Sequence, residues 1–167
     1  MRYISMMLAQ NISSLDEAKT YIDSINFSMV IDKIVSTKKW KRKDVEKICE
    51  LYRHFLYITK KYHQEHDQLP PSEEIDEFWH NHILDTHKYI KDCDAIFGKY
   101  LHHYPYFGID GKSNEQDLQN AFEKMQEIHE KEFGEKIYRV RSPSFVSVIK
   151  TCGEIIRDFF TKRRTSL

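Results

Sequence analysis

Five histidines and several carboxylates of this chain fall within about thirty residues. The first group is Asp76-Glu-Phe-Trp79-His80-Asn-His82-Ile-Leu-Asp85-Thr86-His87-Lys-Tyr89-Ile-Lys-Asp92-Cys93, and the second is Leu101-His102-His103-Tyr104-Pro105-Tyr106-Phe107-Gly108. Imidazole and carboxylate groups bind divalent metals or move protons near neutral pH. The spacing limits which of them can act together. On one helix, Asp76 and His80 at i and i+4 can share an ion or a hydrogen bond. His80 and His82 are about 200° apart and cannot hold one ion unless the helix breaks between them. Two sub-sites follow: a flank pair, Asp76 and His80, and an inward site at His82, with His102 and His103 able to close either from the next loop.

The elements that must position these groups read as helices. Ser14 and Glu17 form a capping box that opens a first helix to about Ser24. Phe27, Val30, Ile31, Ile34 and Val35 mark a second. A third runs from about Asp44 to His66, with Val45, Ile48, Cys49, Tyr52, Phe55 and Leu56 on one face. Pro70-Pro71-Ser72 opens a fourth that ends at Gly98. Along it Ile75, Phe78, Trp79, His82, Thr86, Tyr89, Ile90, Cys93, Ile96 and Phe97 keep one stripe, with Leu84 alone out of phase, which predicts one continuous helix. Asp76, His80 and His87 lie on its flank.

Residues 99–112 read as an ordered aromatic loop. A capping box at Ser113–Gln116 opens a fifth helix that ends at Phe133-Gly134, and Ile137–Val140 reads as a short extended segment. Ser142-Pro143 starts an amphipathic sixth helix with the basic tail Lys162-Arg163-Arg164. The expectation is an all-α, single-domain helical bundle of about six helices over 1–167, with the motif region at 72–108 and the C-terminal helix and tail at 143–167.

The inward site has candidate partners in His63, His129 and Glu132, since an i, i+3 histidine–carboxylate pair facing a bundle core is how helical metal sites are built. Each reading has a plainer one beside it. His82 is either a ligand or a buried histidine bonded to a backbone carbonyl or to a carboxylate such as Glu132. Asp76–His80 is either an ion-sharing pair or a surface pair, and His102-His103 either ligates or plugs the bundle end with the neighbouring aromatics. His54 and His87 read as solvent-facing. Cys93, mid-helix on an apolar stripe, has nothing to lower its thiol pKa.

Composition bounds the rest. The 167 residues are 40% hydrophobic and 31% charged, with only 5 Gly and 4 Pro, which disfavours a loop-rich all-β fold. Lys+Arg and Asp+Glu are 26 each, so no nucleic-acid partner is expected. Three separated cysteines, Cys49, Cys93 and Cys152, fit a reducing compartment. With no secretory h-region and no run long enough to span a membrane, the expected location is cytoplasmic.

The segment Trp79-His80-x-His82-Ile-Leu-Asp85-Thr86-x-x-Tyr89-x-x-Asp92-Cys93-x-x-x-Phe97-Gly98, followed by Leu101-His102-His103-x-Pro105, resembles the glycine-rich domain-containing protein-like family. The likeness covers about residues 75–108. The Gly-rich region of that family's plant members has no counterpart here. The resemblance implies a site rather than a reaction, at Asp76, Trp79, His80, His82, Asp85, Thr86, Tyr89, Cys93 and His103.

Two functions follow. One is a metal-binding helical domain with ligands from Asp76, His80, His82 and His103, and His102, His129 and Glu132 as secondary candidates. It would hold a divalent transition metal, Zn or Fe first, with Asp85 or Tyr89 as a proton donor or orienting group if it is an enzyme. The other is a non-enzymatic interaction module, in which the motif is a buried hydrogen-bond network and the C-terminal helix docks on a protein or an anionic membrane surface.

Overall fold

Side chains that satisfy free backbone groups decide where the helices begin and end. The structure is a computed structural model that describes residues 13–66 and 68–141. Among these residues the chain is all-α, in the order α1 (Leu15–Ser24), α2 (Ser28–Lys38), α3 (Arg42–Tyr62), α4 (Glu73–Ile83), α5 (Thr86–Phe97) and α6 (Glu115–Phe133), with no strand. The expected C-terminal helix and basic tail, and Cys152, lie outside the described residues.

The Ser14 capping box forms: the Ser14 hydroxyl accepts the Glu17 N–H and the Glu17 carboxylate accepts the Ser14 N–H. At α6 the box sits one residue later than expected. Asn114 caps it with Asp117 as reciprocal partner, while Ser113 turns back to accept the Gly108 N–H and donate to Asp110. Gly98 and Gly134 close α5 and α6 at φ of 66° and 81°, a left-handed conformation that costs a residue without Cβ little.

α3 is the hub, packing against α1, α2, α4 and α6. Its expected face, Val45, Ile48, Cys49, Tyr52, Phe55 and Leu56, is buried in one core, and Leu51 and Ile58 join it. It ends at Tyr62, short of the expected His66, so His63 is exposed, bonds the Lys60 carbonyl and is no partner for an inward site.

The expected continuous fourth helix is two helices. Asp85, at φ −88° and ψ 71°, leaves the helical conformation, and its carbonyl starts α5 by accepting the Tyr89 N–H. Leu84, the one out-of-phase residue, sits at the break and is 68% exposed. The break resets the helical phase. Tyr89, Asp92, Cys93, Ile96 and Phe97 now face the core at three-and-four spacing, while Thr86 and Ile90, expected inside, are exposed.

Ile137–Val140, expected to be extended, forms no strand. Side chains hold it: Gln126 bonds both backbone groups of Ile137, and the Glu74 carboxylate accepts the Val140 and Arg141 N–H groups.

Candidate metal centre

The loop histidine His103 is placed against one indole. Trp79, on α4, is buried between the Phe55 ring at 5.0 Å and the His103 ring at 4.6 Å. Its Nε1–H donates to the Tyr89 hydroxyl at 2.9 Å, and that hydroxyl donates to the Leu101 carbonyl at 2.6 Å. Two hydrogen bonds thus tie α4, α5 and the following loop together two residues before His103.

From Tyr100 to Tyr104 burial alternates along the loop. Leu101 and His103 turn inward, while Tyr100, His102 and Tyr104 are exposed. The alternation selects His103 over His102, whose ring rests on Tyr100. Tyr104 and Tyr106 pack on each other in solvent and take no part in covering the bundle end, while Leu101, His103 and Phe107 are half-buried.

On the adjacent face of α4, Asp76 and His80 stand one turn apart. Asp76 Oδ1 accepts His103 Nε2–H at 2.8 Å, and its Oδ2 lies 3.6 Å from His80 Nε2. One donor atom from each of Asp76, His80 and His103 lies within 4.8 Å of the other two. A first-row ion bound at about 2.0–2.2 Å holds its ligand atoms about 3.0–3.4 Å apart. A separation at the 4.8 Å limit would have to shorten by about 1.5 Å, which side-chain rotation on both partners would share. Asp76 and His103, with Trp79, also line a cleft of about 740 Å³ between α3, α4 and the 99–107 loop.

His82 does not join this group. It is 1% exposed, on the opposite side of α4, with both ring nitrogens occupied. Nε2 faces Asp92 Oδ2 at 3.0 Å and Nδ1 faces the Tyr52 hydroxyl at 2.9 Å. We assign the proton to Nε2, since a carboxylate accepts and the Tyr52 hydroxyl, its pKa pushed well up by burial, stays a donor to Nδ1. Asp92 also accepts from the Tyr21 hydroxyl at 2.7 Å and pairs with Lys88 at 3.1 Å. Burial raises the Asp92 pKa, and the bonds from His82, Tyr21 and Lys88 more than offset it, holding the carboxyl below its usual value.

The carboxylate beside His82 is therefore Asp92 and not Glu132. Glu132 accepts from Tyr62 and Lys61, both at 2.6 Å. His129 is buried as expected, but its partner is His54, taken from sequence to face solvent. His129 Nδ1–H donates to the Glu135 carbonyl at 2.6 Å, leaving Nε2 to accept from His54 Nδ1 at 3.0 Å. The His54 ring stacks on Phe133 at 3.6 Å, and burial together with His129 lowers its pKa to about 4.

Of the catalytic candidates, Asp85 is exposed at the α4–α5 break, outside the cleft. The Tyr89 hydroxyl is committed to Trp79 and Leu101, and burial pushes its pKa up, so it positions the loop rather than supplying protons. Cys49 and Cys93 are free and buried, their thiols pushed up by burial, Cys49 to about 11. Asp92, Tyr52 and Tyr21 were missed as network members. The signal for Asp92 was its i+10 spacing from His82, which a continuous helix places off the buried stripe.

A family model described as UCP032817-like matches residues 17–138, which hold α2 to α6 and all but the first two residues of α1. The chain belongs to the UCP032817-like family. No curated protein and no solved structure matches it. The matched range of this UCP032817-like chain holds both the Asp76–His80–His103 cluster and the His82–Asp92 network. No helix among its described residues is long and apolar enough to cross a membrane.

Proposed function

We propose that this chain is a metal-binding helical domain in which Asp76, His80 and His103 hold one divalent transition metal, Zn or Fe first. One observation carries the reading: donor atoms from two separate elements, α4 and the following loop, meet within 4.8 Å. Two imidazoles and a carboxylate form the ligand set of catalytic zinc and of non-heme iron sites. An ion with three protein ligands keeps an open position, and there it acts as a Lewis acid or activates water. Asp76 and His103 line the cleft, so that position would be reachable by a small molecule. A hydrolytic or redox reaction is the class such a site serves. The likeness of residues 75–108 to the glycine-rich domain-containing protein-like family, and a cytoplasmic location, are part of the same proposal.

The test is elemental analysis of tag-free protein after exposure to Zn or Fe. One equivalent in the wild type, lost in His80→Ala and in Asp76→Asn, is the expected result. Substoichiometric metal in the wild type sinks the reading.

The second reading is a non-enzymatic interaction module, and the satisfied His82–Asp92–Tyr52–Tyr21 network favours it. Such a network fixes one packing arrangement without chemistry. The partner, a protein or an anionic membrane surface, would then meet the helix expected from the sequence over 143–167, outside the described residues. A chain that binds no metal and co-sediments with anionic vesicles or a protein partner through that helix is what this reading expects.

A further inference from the structure

The cleft beside Asp76 and His103 holds two polar groups on α3 that lack the partners their burial demands. Thr59 Oγ1 is buried and, among the described residues, has no hydrogen-bond partner. A helical threonine ordinarily returns its hydroxyl to the carbonyl four residues back. Thr20 and Thr37 of this chain do so, at 2.9 and 2.7 Å. Thr59, on the cleft wall, does not.

Its neighbour Lys60 is only 8% exposed and lines the same cleft. Among the described residues no carboxylate lies within 4.0 Å of its ammonium, and its one bond is a long 3.4 Å contact to the Ser13 hydroxyl. Lys61 and Lys88, by contrast, pair with Glu132 and Asp92. A charge on so largely buried a lysine is costly unless an anion accompanies it. Burial accordingly lowers the Lys60 pKa from its usual 10.5.

We propose that this cleft binds a small organic carboxylate with an apolar body, its carboxylate held by the Lys60 ammonium and the Thr59 hydroxyl. Phe55, one helical turn before Thr59, and Trp79 supply the wall for the apolar part. The volume of about 740 Å³ is that of a small-molecule site. A monoanion fits better than a phosphate dianion. The described lining offers one largely buried lysine and no arginine fork, and the aromatic wall cannot replace the water a second charge would lose. The proposal deepens the metal-centre reading and rests on it in one respect, that the bound acid lies beside Asp76 and His103.

The experiment is calorimetric titration of the full chain with octanoate and with phenylacetate, with octanol and octyl phosphate as comparators and metal content measured on the same samples. Saturable one-to-one binding of at least one acid is expected, tighter than either comparator. Lys60→Met, which keeps the apolar stem, should weaken it roughly tenfold or more, as loss of a charge-assisted bond does. Thr59→Val should weaken it by a smaller factor without lowering the Tm, because the hydroxyl has no bond in the free protein to lose. The proposal is overturned if neither acid binds saturably to folded wild type, if octanol or octyl phosphate binds as tightly, if Lys60→Met binds unchanged, or if Thr59→Val melts lower. Acid binding to protein that takes up no metal would remove the metal centre and leave the cleft assignment standing. Metal-loaded protein that ignores both acids would do the reverse.

Discussion

His82 Nε2 and Asp92 Oδ2 meet at 3.0 Å across the break between α4 and α5, each almost out of contact with solvent. The bond joins two helices that the sequence presents as one. Asp92 can reach it because Asp85 ends the helical path and α5 restarts in a different phase. Around the pair, Tyr52 and Phe27 set their rings edge-on to the imidazole, so the polar network is enclosed by the core.

His82→Ala should therefore be costly. It removes the Nε2–H donor from a buried carboxylate and leaves the Tyr52 hydroxyl without its acceptor. Breaking one partner of a buried pair costs about 3–5 kcal/mol. Urea denaturation at neutral pH checks this, and a loss below about 1 kcal/mol would contradict the network. The protein that remains folded should bind metal as wild type does, because His82 and the Asp76–His80–His103 cluster are separate.

Metal should raise the melting temperature and its removal should lower it. A ligand that binds only the folded state stabilises by about 2.7 kcal/mol at a hundred times its Kd. Calorimetric scans of wild type with and without Zn, and again after chelation, should show a reversible shift that is missing in His103→Ala. An equal shift in the variant would place the ion elsewhere.

Tyr89→Phe probes how the loop is held. The substitution keeps the ring and deletes the hydroxyl that accepts from Trp79 and donates to Leu101. The expected loss is about 1–2 kcal/mol of stability. Metal affinity should fall by roughly tenfold or more, as it does when an orienting partner behind a ligand is removed. Unchanged affinity together with the stability loss would mean that the loop holds His103 without that bond.

Acid should weaken the fold through His54 before it reaches Asp92. The neutral ring is favoured in the folded protein by burial and by His129, with its pKa lowered from 6.5 to about 4. The unfolded chain therefore binds the extra proton first. The contribution is complete above pH 6.5 and is lost as pH falls through about 4. Discounted for the solvent that still reaches the ring, it amounts to about 1–2 kcal/mol. Denaturation at pH 7 and pH 5 should show a fall in the wild type and a smaller one in His54→Phe, which keeps the stack on Phe133. Asp92 works in a lower window. Its carboxyl is held below the usual 3.8, so its contribution is intact above that value and is lost only as pH falls further.

Much of the site was legible as chemistry and little as geometry. The i, i+4 relation of Asp76 and His80 needed only helical phase, and the separation of His80 from His82 followed from the same 100° step. That His103, and not His102, completes the group depended on which loop residues face inward. The Trp79–Tyr89–Leu101 bonds settle this, and no local pattern in 99–107 records them. His54 was misjudged for a related reason. A histidine on the edge of a helical stripe is inward or outward according to what packs beside it, and here Phe133 covers His54.

By itself the sequence determined which described segments are helical, though not the break within the fourth, because capping residues and three-and-four apolar spacing are local and act within one or two turns. It placed the α3 core face correctly and flagged Leu84 as out of phase. The tertiary structure decided that Leu84 marks a break and that Asp92 joins His82. It also brought a loop histidine from twenty-seven residues away to Asp76. Each of these depends on long-range packing against α3, and the burial that enforces it comes from residues distant in the chain, so no window of the sequence contains it.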